Sequence, residues 1–268
     1  MHLYEPQSWE DFKSMLLGLQ AEAYQARHLS DGVVPEVLFR GHSNFDWKLA
    51  TTLERYTDKV STWGKYLEIA DAVRPQLETM TKQRWKPISG MDPWCFIGAQ
   101  PWRGAPPGYE YLVYLRHHGF PSPLLDWTES PYIAAFFAYA PAGDQDRAIY
   151  AFLEETGQGK SGSRAQPDIH SYGPYVTADP RHVLQKANYT SCLKLDVAVG
   201  RQLASHEEVF ARGSTTQDLL WKFRLPGHLR LEVLRELDGY NLNAFSLFQT
   251  EDSLLETLAL REIDFQHL

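Results

Sequence analysis

The stretch "YLRHHGFPSPLLDWTESPYIAAFFAY", Tyr114 to Tyr139, sets two adjacent histidines, a proline-punctuated turn and an aspartate inside an otherwise apolar run. Within it "PLLDW" reads as a buried strand. "SPYIAAFFAYA" reads as a helix with Ser130 as N-cap and Pro131 at the first helical position. Ionisable groups in apolar surroundings cost several kcal/mol unless they are paired or used. His117, His118, Asp126, Thr128, Glu129 and Ser130 therefore either satisfy one another or build a site.

Outward from this stretch, "GYEYLVYLRHHG" predicts a helix on its N-terminal side and "RAIYAFLEE" a strand on its C-terminal side. Residues 7–25 predict an amphipathic helix, with Trp9, Phe12, Met15, Leu16 and Leu19 spaced by three and four behind a Ser8 cap. "EVLFRGHSN" predicts a short strand that delivers Arg40 and Gly41 to a loop. "WKLATTLERYT" and "GKYLEIADAVRPQLETMTKQ" predict helices, the second bent or divided at Pro75. The Gly-, Pro- and Trp-rich residues 88–110 predict an irregular loop or lid, and residues 156–174 a polar, Gly-rich loop. "SCLKLDV" and "LWKFRLP" predict strands; "GHLRLEVLRELDGY" and "SLLETLALREIDF" predict helices. The expected architecture is one α+β domain over residues 1–268.

With 268 residues, a formal net charge of −8 and two cysteines far apart, the chain has material for a large core but no thiolate zinc site or disulfide framework. No apolar run spans a bilayer and no secretory leader opens the chain, so a cytoplasmic, membrane-free protein is expected. The negative charge argues against global capture of a nucleic-acid backbone. Metal-ligating spacings, a GxSxG elbow, a P-loop and GxGxxG are missing, so no metal is expected.

Arg40 at a strand end has the planar fork that matches two oxygens of a phosphate or carboxylate, and Gly41 beside it lets a ligand approach the backbone. The alternative for Arg40 is an ion pair with Asp126. Asp126 needs a partner, from Arg40, His118 or nearby amides, or a ligand. His117 reads as a helix C-cap and His118 as the site histidine. Thr128 and Ser130 open a helix whose N-terminus attracts anions, Ser130 capping and Thr128 facing the ligand. Trp85, Trp94 and Trp102 either pack or stack a nicotinamide or nucleobase.

Two ordered blocks, "LFRGHSNFDWKLATTLER" and "YLRHHGFPSPLLDWTESPYIAAFFAY", resemble FRG-domain proteins, named for a Phe-Arg-Gly triplet. Phe39-Arg40-Gly41, Trp47, Leu49 and Arg55 match the first motif. Residues 116–138 match the second, with Arg116 for the usual Gln and Ser122 for the usual Thr; looser matches carry the resemblance over residues 36–258. The order of a strand-borne Arg, a Thr strand and an AxxFA helix also looks like ADP-ribosyltransferases of the Arg-Ser-Glu type. That resemblance implies a split, mostly antiparallel sheet packed by helices, with NAD as substrate. It assigns NAD phosphates to Arg40 and the nicotinamide ribose to Thr128; Gly41, Ser130 and Gln185 are expected to bind beside them, and His118 and Asp126 to complete the catalytic set with Arg40 and Thr128. A strand glutamate is expected, but "RHVLQ", residues 181–185, offers none, so Asp126, or else Glu251 or Asp252, is expected to supply the acid.

The expected function is an NAD-using ADP-ribosyltransferase or NAD glycohydrolase, a toxin or anti-phage effector with a protein or nucleic-acid acceptor and an antitoxin or defence-system partner. The rivals are a non-catalytic nucleotide-sensing module and a nucleic-acid-acting enzyme.

Overall fold

The run "RAIYAFL" is buried along its whole length, as befits a strand covered on both faces, and it forms an interior strand of the sheet. The computed structural model describes residues 1–27, 37–90, 108–154, 166–174, 176–211 and 218–267. Its strands are β1 His2–Tyr4, β2 Leu38–His42, β3 Leu125–Thr128, β4 Arg147–Leu153, β5 Asp168–Ser171, β6 Ala187–Asp196, β7 Gly200–Leu203 and β8 Leu219–Leu225. Its helices are α1 Trp9–Arg27, α2 Thr52–Tyr56, α3 Trp63–Thr81, α4 Tyr109–His117, α5 Pro131–Tyr139, α6 Pro180–Leu184, α7 His206–Ala211, α8 Arg230–Gly239, α9 Ala244–Phe248 and α10 Glu251–Ala259.

The strands form one sheet in the order β1-β8-β4-β2-β3-β6-β5, with β7 also on β6. Every pairing is antiparallel except β1 with β8. The fold is α+β with a mostly antiparallel, open mixed sheet. β4 is laddered along its full length to β8 and along β2, whereas β2 meets β3 only where Phe39 faces Thr128. The sheet is thus two well-paired halves joined by a minimal seam.

Side-chain alternation sorts the core by face. Phe39, Ile149 and Phe223 pack beneath α1, α5 and α8 with Trp9, Phe12, Ala134 and Val233. Tyr189 and Leu193 pack beneath α3 and α4 with Trp63, Tyr66 and Leu112. On the opposite face Leu38, Trp127, Tyr150 and Phe152 lie under Phe45 and the α7 residues Val209 and Phe210.

Several local expectations give way to stronger local chemistry. Trp47 to Ala50 do not join a helix, because Thr51 and Glu54 make a capping box that starts α2 at Thr52. α3 continues through Pro75, held by the ion pairs of Arg74 with Asp71 and Glu78 on either side of it. "RHVLQ" is not a strand: Asp179 caps and Pro180 opens the short helix α6, and the strand β6 follows it. β5 lies inside the stretch read as the 156–174 loop. Trp94 and Trp102, most of the 88–110 segment and the Gly-rich residues 157–163 lie outside the described residues.

Candidate functional site

Beyond Phe39 and Thr128, β2 stays with β4 and β3 with β6, and Arg40 reaches across the seam. Its Nη1 donates to the Asp126 carbonyl at 2.7 Å and lies 3.8 Å from the Asp126 carboxylate, while its Nε donates to His42 Nε2 at 3.0 Å. A cleft of ≈ 1340 Å³ opens here, lined among others by Arg40, Trp47, Arg55, His117, Asp126, Gln185, Tyr189 and Glu207. Both motif blocks reach it because they are tied together: Thr52 Oγ1 accepts from the Ser122 amide at 2.9 Å, and the Leu53 amide donates to the Ser122 carbonyl at 3.1 Å.

Immediately around Asp126 the charge is positive, although Asp46, Glu54, Glu207 and Glu208 line the rest of the cleft. The Asp126 carboxylate is shared by Arg40 and by Arg116, whose Nη2 donates to Oδ2. Two guanidiniums thus face one carboxylate, with Arg55 on the same cleft wall. Burial lowers the Arg40 pKa to about 10, with Asp126 opposing and Arg116 and Arg55 adding to the fall, so Arg40 is still charged at neutral pH. Burial, then the field of Arg40, depresses His42 to about 3, which leaves a neutral imidazole able to accept from Arg40.

Thr128, Ser130 and Gln185 are bound into the turn that joins strand to helix. Thr128 Oγ1 donates to the Gln185 carbonyl at 2.7 Å and accepts from the Ser130 amide at 3.2 Å; Gln185 Nε2 donates to the Leu247 carbonyl at 3.2 Å. Ser130 caps α5 by accepting from the Ile133 amide. Thr128 and Gln185 line the cleft and Ser130 does not. Gly41 lines it as well, yet its need for hydrogen in place of a side chain comes from α5. A Cβ there would stand 1.9 Å from the Ala134 carbonyl oxygen and 2.7 Å from the Ala138 nitrogen.

The two histidines exchange the places expected of them. His118 is exposed, its ring 4.3 Å from that of Tyr114, and it is not among the cleft residues. His117 lines the cleft, with Nε2 2.6 Å from Tyr189 Oη. Successive helical residues point about 100° apart, so the rotation of α4 decides which one faces inward. Burial holds His117 near 4 and outweighs the nearby Asp126.

Glu207 and Glu208 on α7 are cleft residues that no sequence motif marked, and the half-exposed Trp47, noted in the sequence only as a motif match, lines the cleft too. α7 is anchored by the fully buried His206, whose Nε2 is 2.8 Å from Thr190 Oγ1, itself the acceptor of the Trp127 indole N–H. Glu207 accepts the Leu49 amide at 2.8 Å. The signal lay in "SHEEVF", an acidic pair one residue past a helix start. Glu251 and Asp252 open α10 and do not line the cleft. Trp85 packs against Tyr111 and Tyr114. Among the described residues no group of three or more His, Cys, Asp or Glu could hold a metal ion, and no helix is long and apolar enough to cross a membrane.

Comparison with curated proteins finds no match, and comparison with solved structures finds none either. A family model described as FRG domain matches residues 35–147, which hold the Arg40 strand, the α4–β3 turn, α5 and the start of β4. The cleft is therefore assembled around the matched segment, and residues 35–147 of the chain carry an FRG domain.

Proposed function

We propose that the cleft binds NAD and cleaves its nicotinamide–ribose bond, passing ADP-ribose to water or to a protein or nucleic-acid acceptor. The observation that supports this most is the excess of guanidinium over carboxylate at the seam, Arg40 and Arg116 around Asp126. A diphosphate carries the charge that would complete it. The volume suits a dinucleotide, and Trp47 offers an exposed aromatic face for a base. An oxocarbenium-like transition state needs a carboxylate; Asp126, Glu207 and Glu208 border the same space. Consumption of NAD would also make the protein toxic to a cell, in keeping with a toxin or anti-phage role.

One observation favours a second reading, a nucleotide sensor without turnover. The Thr128 hydroxyl is already committed to Gln185 and Ser130. Calorimetry with NAD and release of nicotinamide from labelled NAD separate the two. Binding with release, lost in Arg40→Ala and cut at least tenfold in Glu207→Gln or Glu208→Gln, supports the enzyme. Binding without release under any acceptor condition leaves the sensor, and no binding removes both.

A further inference from the structure

Behind His117 runs a hydrogen-bonded chain through the helical layer. His182 Nε2 lies 3.0 Å from the Pro174 carbonyl oxygen, His182 Nδ1 3.4 Å from Tyr189 Oη, and Tyr189 Oη 2.6 Å from His117 Nε2. The chain has a forced direction. A carbonyl oxygen only accepts, so His182 Nε2 carries the hydrogen, and its Nδ1 in the neutral ring is an acceptor. The Tyr189 hydroxyl can then donate to His182, and its oxygen accepts from His117 Nε2–H. Only this direction makes all three bonds. It leaves His117 Nδ1 bare, and that atom is buried with no hydrogen-bond partner among the described residues, as is Oδ1 of Asp126.

Each of these two buried acceptors on cleft residues lacks a hydrogen that a bound molecule or a water would bring; the Nε–H of Arg116, which pairs with Asp126, is unpartnered as well. Burial supports the neutral form of both rings, for His182 is also lowered, burial being the main cause. The groups around His117 are Asp126, Asp179, Arg181, His182 and Tyr189.

We propose that His117 is the proton acceptor of the cleft, its unprotonated Nδ1 set by the Tyr189–His182–Pro174 chain to take a hydrogen from a ligand or acceptor hydroxyl. This role rests on the NAD reading for its chemistry. The oxygen of water, or of an acceptor hydroxyl, attacks the ribose anomeric carbon as the carbon–nitrogen bond breaks. The bonding pair leaves with neutral nicotinamide. The proton of the attacking oxygen passes to His117 Nδ1, whose imidazolium is favoured by the field of the Asp126 carboxylate until the proton returns to solvent. Tyr189 and His182 act as positioning residues.

The test has two independent parts, both on the full chain. Long-range proton–nitrogen NMR on ¹⁵N-histidine protein, assigned with His117→Gln and His182→Gln, reports the His117 tautomer whether or not NAD is a substrate. The expected result at neutral pH is hydrogen on Nε2 alone, with the preference lost in Tyr189→Phe. Hydrogen on Nδ1, or an imidazolium, overturns the proposal. In the nicotinamide-release assay His117→Gln should lower kcat about 100-fold with NAD affinity by calorimetry retained, and Tyr189→Phe should lower kcat less with KM unchanged. A His117→Gln enzyme as fast as the parent overturns the proposal. A parent that releases no nicotinamide overturns the NAD reading, and the tautomer is then decided by NMR alone.

Discussion

At the scale of single residues, Gly41 and Asp126 carry opposite lessons. Gly41 sits where β2 presses on α5, and the atoms a Cβ would strike are backbone, which cannot rotate away. Gly41→Ala is expected to lower unfolding stability by about 3 kcal/mol, the upper part of the overpacking range, read as a shift of the urea midpoint at unchanged slope. Asp126 is two-thirds buried and pairs at the cleft edge, its carboxylate retaining 36% exposure. The stronger tie of Arg40 is to the Asp126 backbone carbonyl, which an asparagine keeps. Asp126→Asn should therefore lower stability by only about 1 kcal/mol, while raising the demand for an anion between Arg40 and Arg116. Anion binding at low salt should strengthen in that variant, and weakened binding would show that Asp126 itself contacts the ligand.

Among elements, the end of α5 and the loop after β2 are held in place by a buried arginine. Arg147 is fully buried, and its guanidinium donates to the carbonyls of Ser43 at 2.5 Å, Pro141 at 3.2 Å and Gly143. Burial lowers its pKa from the ordinary arginine value. Ser43 and Pro141 both line the cleft, so this one side chain shapes the site without entering it. Arg147→Met would keep the volume and strand those carbonyls. It should cost about 3 kcal/mol, measured by denaturant titration, and should also weaken ligand binding because the loop that carries Trp47 loses its anchor. Unchanged binding in a destabilised Arg147→Met would disconnect that anchor from the site.

For the whole molecule, the main stability consequence is acid sensitivity. His42, His117 and His206 are all held neutral, burial being the main cause, with folded values of about 3, 4 and 3 against 6.5 for an ordinary histidine. Between those values the unfolded chain binds more protons than the native one, so stability rises with pH across that window. Read downward, the contribution is complete above about pH 6.5 and is lost as the pH falls towards 3, at about 1.4 kcal/mol per pH unit for each histidine. A melting series should be flat from pH 8 to 7 and fall steeply below 6, with a shallower fall in His206→Gln once its lower starting stability is allowed for. A melting temperature constant down to pH 4.5 would show that these rings are not kept neutral.

The elements whose residues agree locally were legible from the chain alone. The N-terminal helix shows its apolar stripe, "PLLDW" and "RAIYAFL" show strand-like runs, and Ser130-Pro131 marks a helix start; each depends on neighbours a few positions away. The convergence of Arg40, Asp126 and Thr128 was also legible, since polar groups stranded in apolar runs need partners. What escaped depends on orientations that no local pattern encodes. Which of His117 and His118 faces the cleft follows from the rotation of α4 against β6, where Tyr189 waits. That Gly41 serves α5 rather than a ligand follows from how closely helix and strand approach. That Glu207 and Glu208 border the cleft follows from His206, buried some 16 positions from its Thr190 partner. Local sequence determined which segments become helix or strand, because hydrogen bonding and periodic burial act over a few residues; tertiary packing decided which side chains meet at the seam, because that depends on rotations and distances between segments set only when the two halves of the sheet come together.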